Sequence, residues 1–303
     1  MKNYQRLKGL VAASFTPMDA YGKINLPAID KYVELIAKSD ITGVFVCGTT
    51  GESLSLTTDE RKRILEKWIT LANGRFKVIA HVGSNSIFEA MELARHAAEN
   101  GADAIAAMAP CFFKPESVKD LIDYFAPIAQ NAQELPFYYY NMPSMTGVSL
   151  PVDIFLKEGK KVIPNLVGTK YTHNNLMEMG ECIALNNGEF EVLHGYDEIL
   201  ISGLAFGATA GVGSTYNYLP EVYHGIFEAM KDGNVQKARE LQMKSIKMVK
   251  IVIKYGGGVR GGKAIMNLMG IECGPCRLPI SPMSQKEYEM LKKDLMEIGF
   301  LPK

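Results

Sequence analysis

Eight βα units closed into a barrel, with a helical extension after them, is the fold class this sequence predicts, and three observations predict it. From Leu7 to about Gly233, short apolar β-rich runs alternate with longer amphipathic runs, each pair taking roughly the length of one βα unit. The short runs are continuously apolar rather than alternating, as parallel strands covered on both faces should be. Eight units in series also exceed what a doubly wound open sheet usually carries. Such a sheet would place a phosphate loop after its first strand, where this chain reads Thr16-Pro17-Met18-Asp19. The expected class is therefore α/β, a (β/α)8 TIM barrel, with residues 1–233 forming the barrel that carries the active site and residues 234–303 a C-terminal helical region.

The strands are expected, in order, at Gly9 to Thr16, Gly43 to Gly48, Lys77 to Gly83, Ala104 to Ala109, Pro136 to Asn141, Leu166 to Tyr171, Glu191 to Gly195 and Thr209 to Gly213. Between them lie helices with readable starts. Thr57 with Glu60, and Ser86 with Glu89, have the Ser/Thr-x-x-Glu spacing of a capping box. Beyond Gly233, the segments Val235 to Tyr255, Lys263 to Met269 and Ser284 to Ile298 are helical in pattern. No low-complexity segment interrupts this order, and the βα alternation is the sole repeat.

At 303 residues, 47% hydrophobic and 22% charged, the chain can bury a large core. Lys plus Arg equals Asp plus Glu at 33 each, so no electrostatic footprint for nucleic acid or an anionic membrane surface is present, and a small-molecule partner fits better. The stretch Met1 to Gly9 is polar and basic with no apolar run behind it, and no window approaches a transmembrane length; a cytoplasmic protein is expected. Five scattered cysteines, at 47, 111, 182, 273 and 276, do not form a secreted disulfide framework, so reduced thiols are expected.

In barrels of this class, reacting groups gather where strands end, because the following loops converge on one mouth. The sixth strand places a lysine, Lys170, inside the run Val-Gly-Thr-Lys-Tyr-Thr that otherwise reads as buried. A strand lysine facing a dry interior cannot stay a solvated ammonium without a partner and is driven toward the neutral amine. Neutral lysines attack carbonyl carbons to give Schiff bases, which points to a ketone or aldehyde substrate. The bland alternative is a lysine at the solvent end of a strand.

The other strand ends offer Gly48-Thr49-Thr50-Gly51-Glu52, Tyr140-Asn141, Gly195-Tyr196-Asp197-Glu198 and Gly213-Ser214-Thr215. Gly48 to Glu52 combines close backbone approach with two hydroxyls beside amide N–H groups, which suits a carboxylate; an ordinary βα turn with a capping Thr is the alternative. Strand alternation puts Tyr138 and Tyr140 on one face and Tyr139 on the other. A stack of tyrosines is usually core, yet a phenol beside a lysine in a desolvated site could move protons. Asp197 and Glu198 could bind sugar hydroxyls or a metal, or simply complement a helix dipole.

Two motifs are set aside. Gly257 to Lys263 copies the spacing of a phosphate-binding P-loop, but Ala264 follows where a hydroxyl should stand, and a helical pattern precedes it instead of a strand. Cys273-Gly274-Pro275-Cys276 copies a redox dithiol without opening a helix after a strand. Histidines 81, 96, 173, 194 and 224 show no metal-ligand spacing, so no metal is expected.

Taken together, Gly48 to Glu52, Tyr140 to Gly147 and Gly168 to Thr172 resemble the signatures of the pyruvate-dependent class I aldolase family that includes N-acetylneuraminate lyase and dihydrodipicolinate synthase. Order and spacing match over nearly the whole chain. The resemblance implies that Lys170 forms the Schiff base and Tyr140 is the acid/base. It further implies that Thr49 and Thr50 bind the pyruvate carboxylate, that Thr172, Gly195, Asp197, Glu198 and Ser214 bind a sugar portion, that no cofactor is needed, and that the protein is a homotetramer.

Within that family, His194 to Glu198 and Gly211 to Asn217 are similar to the sugar-binding segments of the lyase branch, and Tyr138-Tyr139-Tyr140 and Cys276 to Pro279 to its animal-type members. Met145 stands where synthases are expected to carry an arginine for a second carboxylate, and methionine cannot neutralise one. Tyr171 likewise replaces an acidic residue common in synthases and sugar-acid dehydratases of the family. One departure concerns Ala109-Pro110-Cys111-Phe112-Phe113: many members place a tyrosine there that reaches a neighbouring subunit, and Phe112 has no hydroxyl to relay a proton. The expected reaction is reversible aldol cleavage of N-acetylneuraminate to N-acetylmannosamine and pyruvate. Another pyruvate aldolase of the family, or a keto-acid sensor without turnover, are the alternatives.

Overall fold

A computed structural model describes residues 4–301; the outer ends of the expected 1–233 and 234–303 regions, including the first three residues of the polar Met1–Gly9 stretch, lie outside the described residues. Eight parallel strands form one closed barrel: β1 (Gly9–Ala13), β2 (Gly43–Val46), β3 (Lys77–His81), β4 (Ala104–Met108), β5 (Phe137–Asn141), β6 (Leu166–Tyr171), β7 (Glu191–His194) and β8 (Ala210–Gly213). Each pairs with the next, and β8 returns to β1 through Gly9↔Ala210 and Ala12↔Gly213. The TIM barrel predicted from the alternating runs is therefore the observed architecture.

The intervening helices are α1 (Ala28–Lys38), α2 (Thr58–Ala72), α3 (Ile87–Glu99), α4 (Val118–Gln130), the single turn α5 (Pro143–Thr146), α6 (Val152–Gly159), α7 (Leu176–Ala184), α8 (Leu200–Phe206) and α9 (Pro220–Lys231). Three more helices follow: α10 (Val235–Lys254), α11 (Gly257–Leu268) and α12 (Gln285–Glu297). Helix α10 packs on both α9 and α11.

Local chemistry sets these boundaries. Thr57 caps α2 with a complete box, its hydroxyl taking the Glu60 N–H and the Glu60 carboxylate taking the Thr57 N–H. At α3 only half of the expected box forms, because the Glu89 carboxylate accepts from Ser84 Oγ at 2.8 Å instead of returning to Ser86. Several strands are shorter than their apolar runs: Thr16, Gly48 and Gly83 lie beyond the ladders, since the last residues of each run turn away to build the mouth. Helix α11 starts at Gly257, six residues before the expected Lys263. Its glycines argue against a helix on propensity alone, and tertiary packing overrides them.

The core has two layers. Inside the barrel, Val11, Phe45, Ile79, Ala106, Tyr138, Tyr140, Leu193 and Val212 fill the bore, while Tyr139 packs in the layer between strands and helices. On β6 the register shifts: Phe137 pairs Leu166 but Tyr138 pairs Gly168, leaving Val167 as an extra residue. Leu166 belongs to the outer layer and Val167 to the inner. This bulge resets the two-residue alternation, so Lys170, of the same parity as Leu166, faces the bore beside Tyr140.

Candidate active site

Lys170 lies at the floor of a cavity of about 360 Å³ at the C-terminal mouth of the barrel. It is 4% exposed. Its Nζ sits 3.9 Å from the Tyr140 ring centroid and 4.3 Å from that of Phe45. The other buried lysine, Lys263, is ion-paired with Glu52, whereas Lys170 enters no ion pair among the described residues. The Lys170 amine therefore meets two π-faces and the open cavity, and an incoming carbonyl has no salt bridge to displace.

Tyr140 is fixed by position and packing. Its backbone pairs with Lys170 across β5 and β6. Its ring stands edge-on to Phe45 at 5.5 Å and to His81 at 5.8 Å. The phenol oxygen is 3.1 Å from Thr49 Oγ1 and donates to Met142 Sδ at 3.0 Å. One hydroxyl pair thus links the phenol beside the lysine to the Gly48–Glu52 loop. In that loop the N–H groups of Thr49 and Thr50 have no protein acceptor among the described residues, and both side chains line the cavity. Two amide donors and two hydroxyls make a donor set that matches the chemistry of a carboxylate.

Across the cavity, Thr172 follows β6, and its hydroxyl is buried without a partner among the described residues. Only glycine fits opposite it, because a Cβ on Gly195 would lie 2.0 Å from Thr172 Oγ1. Asp197 is held from three sides. Its Oδ2 accepts the Thr215 N–H at 2.9 Å and the Thr215 hydroxyl at 2.5 Å, and its carbonyl accepts from Gln242 of α10 at 3.0 Å. Its Oδ1 is buried and unpartnered, and would be 1.7 Å from a Cβ on Gly213. Burial raises the Asp197 carboxyl to about 6 against the two Thr215 donors, which favour the charged form. Glu198 and Ser214 complete this polar side.

All nine residues singled out from the sequence, Lys170, Tyr140, Thr49, Thr50, Thr172, Gly195, Asp197, Glu198 and Ser214, line this one cavity. The opposite wall was not foreseen. It is apolar and comes from beyond the barrel: Val249, Val252 and Ile253 of α10, Val259 of α11, and Ile280. A smaller, mainly apolar annex of about 180 Å³ adjoins through Thr49, Met145, Val259 and Ile280. Phe112 does not line the cavity in this chain. It is 77% exposed and stands edge-to-face against Phe113 at 4.9 Å.

Beneath the site, His81 and Arg61 form a support that sequence reasoning missed, since neither fits a motif. Arg61 of α2 reaches through to donate to the carbonyls of Gly83 at 2.9 Å and His81 at 2.7 Å. Burial first, and Arg61 second, press His81 well below the usual imidazole range, so its ring is neutral. The free thiols of Cys273 and Cys276 are pushed up to about 12 and about 11 by burial, so neither is a thiolate at neutral pH.

An eight-stranded barrel of this kind, with an unpaired lysine and a phenol in its mouth, is the framework of a class I, Schiff-base aldolase, a carbon-carbon lyase. The chain belongs to the Dihydrodipicolinate synthetase family, whose pattern matches residues 6–298. It is 42% identical over 301 residues to N-acetylneuraminate lyase of Mus musculus, covering 98% of this chain and 94% of that protein. Among solved structures, Proteus mirabilis N-acetylneuraminate lyase superposes with a TM-score of 0.95 at 37% identity, covering 98% of this chain and 100% of that one. The sialic acid aldolase of Aliivibrio salmonicida does so with a TM-score of 0.95 at 38% identity, covering 98% and 99%.

Proposed function

We propose that this chain catalyses the reversible cleavage of N-acetylneuraminate to N-acetylmannosamine and pyruvate. The observation that carries this reading is Lys170, a buried amine without an ion pair among the described residues, in one cavity with the Thr49–Thr50 donor set, which suits a carboxylate, and a row of hydrogen-bonding groups suited to a polyol. In the open-chain keto sugar, the carboxylate docks on Thr49 and Thr50, and Lys170 Nζ adds to the C2 carbonyl. Loss of water gives a protonated Schiff base. Removal of the C4 hydroxyl proton then breaks the C3–C4 bond, its electrons flowing into the iminium to leave an enamine of pyruvate and the aldehyde of N-acetylmannosamine. Protonation at C3 and hydrolysis free the lysine. Tyr140, the phenol nearest the amine, carries the protons, and Thr172, Gly195, Asp197, Glu198 and Ser214 hold the sugar.

Methionine at 145 supports a sugar over a second carboxylate, since a thioether offers no charge to match one. The division into a barrel over residues 1–233 and a helical region over 234–303 is part of the proposal, as are a cytoplasmic location and a homotetramer; the exposed Phe112–Phe113 pair supports association. The test is reductive trapping. Borohydride with pyruvate should leave a stable adduct on Lys170, read by peptide mass spectrometry, and the protein should release pyruvate from N-acetylneuraminate. An unmodified Lys170 peptide, or turnover of aspartate semialdehyde in place of the sialic acid, refutes the reading.

A further inference from the structure

The Gly48–Glu52 loop is not held by the barrel alone. Cys47, just before it, and Glu52, its last residue, both adopt left-handed backbone conformations, with φ of 55° and 58°. Non-glycine residues keep such conformations only where their surroundings over-determine them. The surroundings here are specific. Glu52 Oε1 accepts from Lys263 Nζ at 2.7 Å, and both side chains are 1% exposed. Glu52 Oε2 accepts the Arg277 N–H at 2.8 Å, and Lys263 also donates to the Pro275 carbonyl at 2.8 Å. From the other side, Thr16 Oγ1 donates to the Gly51 carbonyl at 2.8 Å.

Lys263 reaches this point because of the glycines before it. A Cβ on Gly262 would lie 2.4 Å from the Phe15 ring, and one on Gly261 2.8 Å from the Val252 carbonyl. Gly262 lets α11 lie close to Phe15 past the end of β1, and Gly261 lets it lie close to α10, the placement from which its lysine reaches Glu52. The run Gly257 to Lys263, which imitates a phosphate loop in sequence, thus serves to deliver one cation to a buried carboxylate. The Arg277 side chain extends the clasp, donating through two nitrogens to the Glu60 carboxylate at 2.8 Å each and to the Ser55 carbonyl at 2.6 Å.

We propose that Lys263 is a positioning residue: its ion pair with Glu52 sets the Thr49–Thr50 donors at the distance from Lys170 that a 2-keto acid requires. This rests on the reading that Thr49 and Thr50 receive the carboxylate. Both substrates of the synthetic direction enter the same cavity, but only pyruvate carries that carboxylate. Loss of the pair therefore weakens pyruvate and spares the sugar. A buried ion pair contributes little net stability, since desolvation offsets attraction, so its function lies in fixing geometry.

The experiment is steady-state synthesis of N-acetylneuraminate by the full chain, with each substrate varied in turn. Lys263→Met should raise the pyruvate half-saturation concentration about tenfold to a hundredfold, the range expected for a misplacement near 1 Å. The N-acetylmannosamine value should stay within about twofold, and Lys263→Arg should restore most of the pyruvate value, since an arginine also matches a carboxylate. Glu52→Gln combined with Lys263→Met leaves no lone buried charge; it carries the same expectation and is the variant measured if Lys263→Met alone does not fold. A folded variant with unchanged pyruvate saturation, or an equal loss for both substrates, overturns the proposal. Failure of the parent protein to trap pyruvate on Lys170 would instead refute the proposed function.

Discussion

Replacing Tyr140 by Phe deletes one oxygen and preserves nearly everything around it. The ring keeps its contacts with Phe45 and His81, and its face stays 3.9 Å from Lys170 Nζ. Only the bonds to Thr49 Oγ1 and Met142 Sδ vanish, so folding stability should change by no more than about 1 kcal/mol. The chemistry should suffer far more. A positioned acid/base contributes roughly 10² to 10⁴ in rate, or about 3–5 kcal/mol at 1.36 kcal/mol per decade. In an assay coupling pyruvate release to NADH oxidation, kcat should fall by that factor, while KM for N-acetylneuraminate moves less than about threefold because the Thr49 and Thr50 N–H groups and hydroxyls remain to receive its carboxylate. Borohydride should still trap pyruvate on Lys170, at a slower rate. A kcat within about fivefold of the parent, in a variant with an unchanged melting temperature, would show that the phenol does not move the proton.

Other perturbations give distinct signatures. Thr172→Val removes a buried hydroxyl that lacks a protein partner; the melting temperature should hold or rise, while KM for N-acetylneuraminate rises roughly threefold to tenfold, and an unchanged KM would remove Thr172 from the sugar site. Gly213→Ala drives a methyl to within 1.7 Å of Asp197 Oδ1, in a carboxylate that Thr215 holds through its other oxygen, Oδ2, so denaturant titration should show a loss of about 1–3 kcal/mol. At the closed end of the barrel, burial pushes the Glu191 carboxyl up to about 8. The folded chain thus keeps a proton that the unfolded chain releases, and the associated stability, complete below about pH 4.5, is lost as pH rises through 8. Relative to Glu191→Gln, the parent should lose roughly 1 kcal/mol per pH unit between pH 5 and 8; a flat difference over that window would mean that the carboxyl is already ionised.

The barrel was readable because its eight strands are local, continuous apolar runs, and the residues aimed at its mouth stand at the ends of those runs. Lys170 and Tyr140 stood out as chemistry-bearing types in otherwise apolar strands, but that pattern left a solvent-end lysine and a core tyrosine open, and their proposed roles came from the family resemblance; the structure brings both to one cavity. What local pattern could not show depends on distance along the chain. Glu52 and Lys263 are 211 residues apart, and Lys263 was hidden in a glycine run whose low helix propensity masks a helix that packs closely on Phe15 and Val252. Arg61 looked like an ordinary helix-face residue until its reach to Gly83 was seen. The β6 bulge was equally invisible, since Val167 fits an apolar strand on either face. The apolar wall from α10 and α11 gave no signal because aliphatic residues on a helix read as core.

That wall has a consequence for how the catalyst could diversify. Lys170 and the Gly48–Glu52 loop belong to barrel elements, whereas Val249, Ile253 and Val259, which line the same cavity, belong to helices that follow the barrel. Under the proposed function the reactive amine and the polar groups assigned to the sugar come from the barrel, while the apolar lining comes from a later stretch of chain. Exchanging Val249, Ile253 or Val259 on those helices, with Lys263 kept, offers a route to new acceptor aldehydes that leaves the reactive nitrogen untouched, an arrangement suited to engineering and to evolutionary drift alike.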